Sequence, residues 1–244
     1  MKKDQRKYNQ SIFSGMVDYR QFRLNKLNTP EFQHLRLLLF WPLFGILFYM
    51  AERGNLTSTY FPMHCALDDM IPFCEWFLIP YLFWFVFLAG MHLYLLLYDV
   101  PLFEDFMRYI IITYSAGLII FFLFPTCQYL RPSVFPRDNI LTQMLASFYA
   151  FDTSTNVCPS LHVVGSLAVT FAGWRCKRLQ ASGWKFFFGA AGILISISTV
   201  FVKQHSAIDL AAGLIICVLA HPLIYGKLSE DTARKRPVQR ITSR

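Results

Sequence analysis

The chain has 244 residues and a formal net charge of +8, with 55% hydrophobic and 16% charged residues, and its mean hydropathy is +0.39. That is too apolar for a soluble domain. The basic residues flank apolar runs instead of lining a stripe, which suits lipid headgroups and excludes a nucleic-acid groove.

In chain order, residues 1–34 form a polar, basic segment with no apolar core and no cleavage site, so no signal peptide is expected. Within it, Asp18 to Phe32 mixes Tyr, Phe and Leu with basic residues and reads either as a strip in the headgroup plane or as disordered tail. Six apolar runs follow, at about Leu35–Ala51, Cys74–Tyr98, Tyr109–Pro125, Leu161–Trp174, Trp184–Val202 and Ala207–Tyr225. Several approach the ~20 residues needed to cross a ~30 Å hydrocarbon layer, and only a helix satisfies its own backbone there. The fourth is short, and Arg175, Lys177 and Arg178 would have to snorkel to extend it. Pro42 and Pro80 interrupt the first two. The expected fold is all-α, a polytopic membrane protein with six transmembrane helices in one bundle over 35–226, followed by a basic tail over 227–244.

With six crossings both termini share a side. That side carries nineteen Lys/Arg and the other only Arg53, Arg131, Arg137 and Lys203, so the termini are expected in the cytoplasm. The membrane is expected to be the plasma membrane, as no organelle address is evident.

The unusual polar residues gather in the three outward connections. The third holds Arg131-Pro132, then Arg137 and Asp138, and ends in Cys158-Pro159-Ser160-Leu161-His162. The fifth reads Lys203-Gln204-His205-Ser206-Ala207-Ile208-Asp209. Taken singly, Arg-Pro is a turn, Pro-Ser is helix-start chemistry with Ser160 as a cap, and His-x3-Asp is common on exposed helices. Ionisable residues at the edge of a span are costly, however, and default to functional candidates.

Together these residues suit phosphoryl transfer, which needs a nucleophile, cations for the phosphoryl oxygens and an acid for the leaving group. His205, its tautomer fixed by Asp209, would attack phosphorus. His162 would protonate the departing alcohol and then activate the acceptor. Arg131 and Lys203, with Ser160 and the N–H groups opening the fourth helix, would hold the oxygens; Arg137 is a further candidate. No metal or other cofactor is called for. The first connection adds Leu67-Asp68-Asp69, whose acids either bind a headgroup hydroxyl or cap a solvated turn.

At these residues the chain resembles the type 2 phosphatidic acid phosphatase superfamily, whose motifs are Lys-x6-Arg-Pro, Pro-Ser-Gly-His and Ser-Arg-x5-His-x3-Asp. Arg131-Pro132 matches the first with Phe124 at the Lys position. Pro159-Ser160-Leu161-His162 matches the second with Leu161 for Gly. Ser198-Thr199, His205 and Asp209 match the third with Thr199 for Arg. The resemblance spans about 35–226 and implies a lipid phosphatase or headgroup phosphotransferase working through a phosphohistidine. Lys203, four residues after Thr199, is expected to replace the lost Arg. The Pro-Ser-Leu-His form looks like the branch of inositol phosphorylceramide synthases.

A lipid-phosphate transporter or flippase, or a family member that binds without turnover, are the alternatives. Partners are a lipid phosphate and membrane lipids, with no nucleic acid and no particular oligomer indicated. Cys127 and Cys158 bracket the third connection as a disulfide or as free buried thiols, and His92 reads as a hydrogen bonder between helices.

Overall fold

A computed structural model describes residues 16–54 and 57–226. The basic tail expected over 227–244 and the first 15 residues of the expected 1–34 segment lie outside the described residues. The fold is all-α: α1 (Phe40–Arg53), α2 (Ala66–Met70), α3 (Leu78–Tyr98), α4 (Val100–Leu123), α5 (Ile140–Phe151), α6 (Leu161–Arg175), α7 (Ser182–Phe201) and α8 (Ala207–Tyr225). Two dipeptide strands, β1 (Phe61–Pro62) and β2 (Thr126–Cys127), pair in parallel and tie the connection after α1 to the connection after α4.

Among the described residues, five stretches are long and apolar enough to cross a membrane: Gln33–Arg53, Glu75–Tyr98, Val100–Leu123, Ser182–Phe201 and Ala207–Tyr225. Six were expected. The fourth, now α6, has 15 residues, ten of them buried. At ~1.5 Å per residue it reaches only ~22 Å. It is encased by α3, α4, α7 and α8, so its apolar character serves helix packing and not lipid contact. Val164, Ala168, Val169 and Ala172 of α6 meet Phe103, Phe106, Met107 and Ile110 of α4 in the main core, all fully buried.

The expected bounds shift where caps decide them. α4 begins nine residues before the expected Tyr109, because Asp99 accepts from Leu102 N at 3.2 Å and Pro101 lies in the first turn. The charges this draws into the helix pair off, Arg108 with Glu104 and Asp105 at 3.1 Å each. Pro42 and Pro80 interrupt nothing: each falls in the first turn of its α-helix, α1 and α3, where a missing N–H costs little. The Asp18–Phe32 stretch is packed, in contrast to the disordered tail considered for it. Val17 N donates to Leu97 O, Tyr19 Oη donates to Leu96 O at 2.8 Å, and Phe32 is buried. His92 accepts the Trp41 indole of α1 at 3.1 Å, in the helix-joining role expected of it.

Candidate active site

At one end of the bundle α1, α4 and α7 finish while α3, α6 and α8 begin. The third connection covers that end with α5, a 12-residue helix capped by Asn139. The site is made where these ends converge.

His205 is placed by the way α7 stops. Lys203 takes a left-handed φ of 53°, Lys203 N donates to Val200 O, and Gln204 N donates to Thr199 O. That is the helix-stop pattern usually built on Gly. A lysine there costs about 1 kcal/mol. Its ammonium donates to Asp68 O at 2.9 Å and to Ile71 O at 2.5 Å, which holds the turn. α8 starts at once, with Ser206 as cap and Asp209 closing the capping box from Ser206 N at 2.9 Å. His205 Nδ1 meets Asp209 Oδ2 at 3.3 Å, which leaves Nε2 free. Asp209 is wholly buried. Cys158 lies beside it, and burial first, then this carboxylate, push that thiol up to about 12.

His162, in the first turn of α6, is fixed by aromatic packing. Its ring stacks on Tyr81 at 4.2 Å and lies against Trp84 at 4.5 Å. Its Nε2 is buried with no hydrogen-bond partner. The two imidazole centroids are 6.1 Å apart, close enough for both rings to flank one phosphoryl group. Ser160 N donates to Asp209 O at 3.0 Å, locking the starts of α6 and α8 together.

Both rings open onto a cavity of about 260 Å³. Its deep wall is aromatic, including Trp41, Phe44, Phe48 and Trp84, and it follows α1 from Glu52 to Trp41. Eleven residues at ~1.5 Å make that ~16 Å. The polar rim consists of His162, His205, Gln204, Glu52, Asp152, Thr153, Thr155 and Asn156.

The structure thus brings His205, Asp209 and His162 together and places the expected cations elsewhere. Arg131 gives its guanidinium to Tyr149 O, Asp152 O, Thr153 O and the Gln204 side-chain oxygen at 2.5–3.1 Å. Lys203 leaves the Thr199 face, since α7 ends before it, and binds carbonyls as described; burial lowers its ammonium, with Asp68 and Asp69 opposing. Arg137 pairs with buried Glu75 at 2.8 Å. Asp68 accepts from Ser206 Oγ at 2.5 Å and Ala207 N at 2.8 Å, capping α8 from outside the helix. Burial pushes its carboxyl up, but these bonds outweigh that and hold it low. Ser160 is at the cap position of α6 without making the cap bond; its hydroxyl is buried and unpartnered. Phe124 stacks on Phe61 at 4.1 Å, and Thr199 is buried and donates to Ser196 O.

Sequence reasoning missed Gln204. Arg131 fixes its oxygen, so the amide orientation is settled; its Nε2 is buried, unpartnered and on the cavity rim. Its place directly before His205 in sequence was the available signal. Cys127 and Cys158 are buried free thiols. Among the described residues, no group of three His, Cys, Asp or Glu side chains is placed to hold a metal ion.

An antiparallel helix cluster thus gathers two imidazoles and a buried carboxylate at one end. The PAP2 superfamily profile matches residues 105–232, more than half of the chain, and the protein belongs to that superfamily. Membership implies phosphatase or phosphotransferase activity on lipid phosphates. The match begins at Asp105 in α4, so α1 to α3 lie outside it, a narrower span than the sequence resemblance suggested. No curated protein and no solved structure matches the chain.

Proposed function

We propose that the protein transfers a phosphoryl group from a membrane lipid through a phosphohistidine on His205, without a metal, at the non-cytoplasmic face. The pairing of His205 with Asp209 beside the unpartnered Nε2 of His162 carries this reading. In the first step His205 Nε2 forms the bond to phosphorus, the ester P–O bond breaks, and His162 gives its proton to the leaving alkoxide. In the second, His162 takes a proton from the acceptor, whose oxygen displaces His205.

Neutral donors hold the phosphoryl oxygens: Gln204 Nε2, polarised by Arg131 behind it, and the first N–H groups of α6, which have no acceptor within the helix. Ser160 Oγ is the further donor at that helix start. α6 counts as the sixth, protein-encased crossing, which with the basic termini puts both ends in the cytoplasm. Alcohol rather than water is the acceptor, as in the inositol phosphorylceramide synthase-like branch that the Leu161 and Thr199 substitutions resemble.

The test is purified protein in nanodiscs given phospholipid and diacylglycerol or ceramide-type acceptors, with and without EDTA, followed by lipid mass spectrometry. EDTA-resistant product formation is expected, with at least about a 10³-fold loss in His205→Ala. Lipid movement or binding without bond cleavage would instead mark a transporter or a non-catalytic member.

A further inference from the structure

The acidic and amide part of the cavity lining is built for a hydrogen-bond donor. Asn156 is 6% exposed, and its Nδ2 is committed to Ala51 O at 3.0 Å. That fixes the amide and leaves its oxygen buried without a hydrogen bond, on a residue that lines the cavity. One Glu52 oxygen accepts from the Thr153 hydroxyl; the other is buried, and its one polar neighbour is the Asn156 side chain, too poorly aligned to complete a hydrogen bond. Asp152, adjacent to Thr153, supplies a second carboxylate on the same rim, within electrostatic range of both Glu52 and His205. Burial holds the Asp152 carboxyl above its ordinary range, with His205, Arg131 and Arg53 pulling it only partly back.

Two carboxylates repelling each other in a buried cavity are costly unless a cation joins them. No Lys or Arg is among the residues lining the cavity. Arg53 acts on Glu52 and Asp152 only at a distance, being exposed with its guanidinium donating to Phe151 O, and Arg131 is committed to carbonyls and Gln204 as described. A plain phosphate monoester, carrying only negative charge, would meet this rim as a like charge. A ligand carrying phosphate and ammonium together would match both halves of the site, the phosphate toward His205 and Gln204, the ammonium toward the acids and the aromatic wall.

We propose that Glu52, Asp152 and Asn156 bind the headgroup ammonium of a zwitterionic phospholipid, making a phosphoethanolamine- or phosphocholine-type lipid the phosphoryl donor. This rests on the catalytic reading above for turnover, but not for binding.

Two measurements on the full-length protein in nanodiscs test it. The first compares initial rates on phosphatidylethanolamine, phosphatidylcholine, phosphatidylglycerol, phosphatidylinositol and phosphatidic acid of identical chains. At least a tenfold preference for an ammonium lipid is expected, falling to near one in E52Q or D152N and reversing toward phosphatidylglycerol in D152K. The second titrates His205→Ala protein with soluble phosphoethanolamine, phosphocholine and glycerol phosphate, read by the fluorescence of Trp41 and Trp84. Tighter binding of an ammonium compound by tenfold or more is expected, and its loss in a variant that also carries E52Q or D152N.

Binding preference without turnover of any lipid would keep the ammonium site and overturn the catalytic reading. Turnover with phosphatidic acid, phosphatidylinositol or phosphatidylglycerol preferred, or a preference untouched by E52Q and D152N, would overturn the ammonium site and leave the catalysis standing. Neither turnover nor preferential binding would overturn both.

Discussion

The stretch from α4 to α8 and the stretch from α1 to α3 contribute to one cavity in different ways. The first contains the superfamily match and every imidazole and acid of the His205–Asp209–His162 set. The second lies outside the match and supplies what surrounds that set: Tyr81 and Trp84 against the His162 ring, Glu52 on the rim, and Asp68 under the turn that carries His205. Reaction chemistry needs a few groups at short spacing on adjoining helix starts. Its orientation, and the choice of what enters, come from elements far away in sequence.

Substitutions can separate the two contributions. The largest effect is expected in the matched half: His162→Asn should lower turnover by about 10²- to 10⁴-fold, while an alkaline quench, under which the P–N bond survives, still traps radiolabelled His205 if the leaving alcohol is activated, as in a nitrophenyl ester. Next, Asp68→Asn in the other half should cost about 3 kcal/mol, since it weakens charge-assisted bonds to a buried helix start. It should lower kcat more than KM, because it loosens the turn under His205 without touching the cavity.

The pH dependence of that loss has a defined sign. Asp68 is held below its ordinary range when folded, so its stabilisation is present above the ordinary aspartate value and fades as the pH falls through the folded value. The gap in thermal midpoint between the wild type and Asp68→Asn should therefore be full at neutral pH and close on acidification below about pH 4.

A smaller effect is expected at Gly165, where the two halves touch. A Cβ there would lie 2.6 Å from Tyr114 Oη and 2.7 Å from Trp84 Nε1. Gly165→Ala should cost about 2 kcal/mol and displace the indole that flanks His162. A shifted His162 resonance with Gln204 environments unchanged would sharpen the division; an unmoved His162 would break it.

The same division governs what could be read from sequence. The triad was legible because its signals are local: Asp209 follows His205 by one helical turn, and His162 opens a helix after Pro-Ser. Five of the six apolar runs were legible because each is long and continuous. The short α6 resembled a weak span because a helix hidden among other helices is as apolar as one facing lipid. α5 was missed because 12 residues cannot span a bilayer and its run merges into a long connection. Glu52 and Asn156 gave no signal, since their relation to Asp152 and Ala51 bridges about a hundred residues. The destinations of Arg131, Lys203 and Arg137 depend on which carbonyls and carboxylates fold beside them, which spacing does not encode.

The stop at the end of α7 has a mechanical consequence. Because the Thr199 carbonyl receives the N–H groups of both Gln204 and His205, the bearing of the reactive ring is inherited from the last turn of a bilayer helix. One residue gained or lost upstream would swing that ring by ~100° and shift it ~1.5 Å. Adjustment to a thicker or thinner membrane must therefore be absorbed at the Ser182 end of the helix, leaving the chemistry in register with the water boundary.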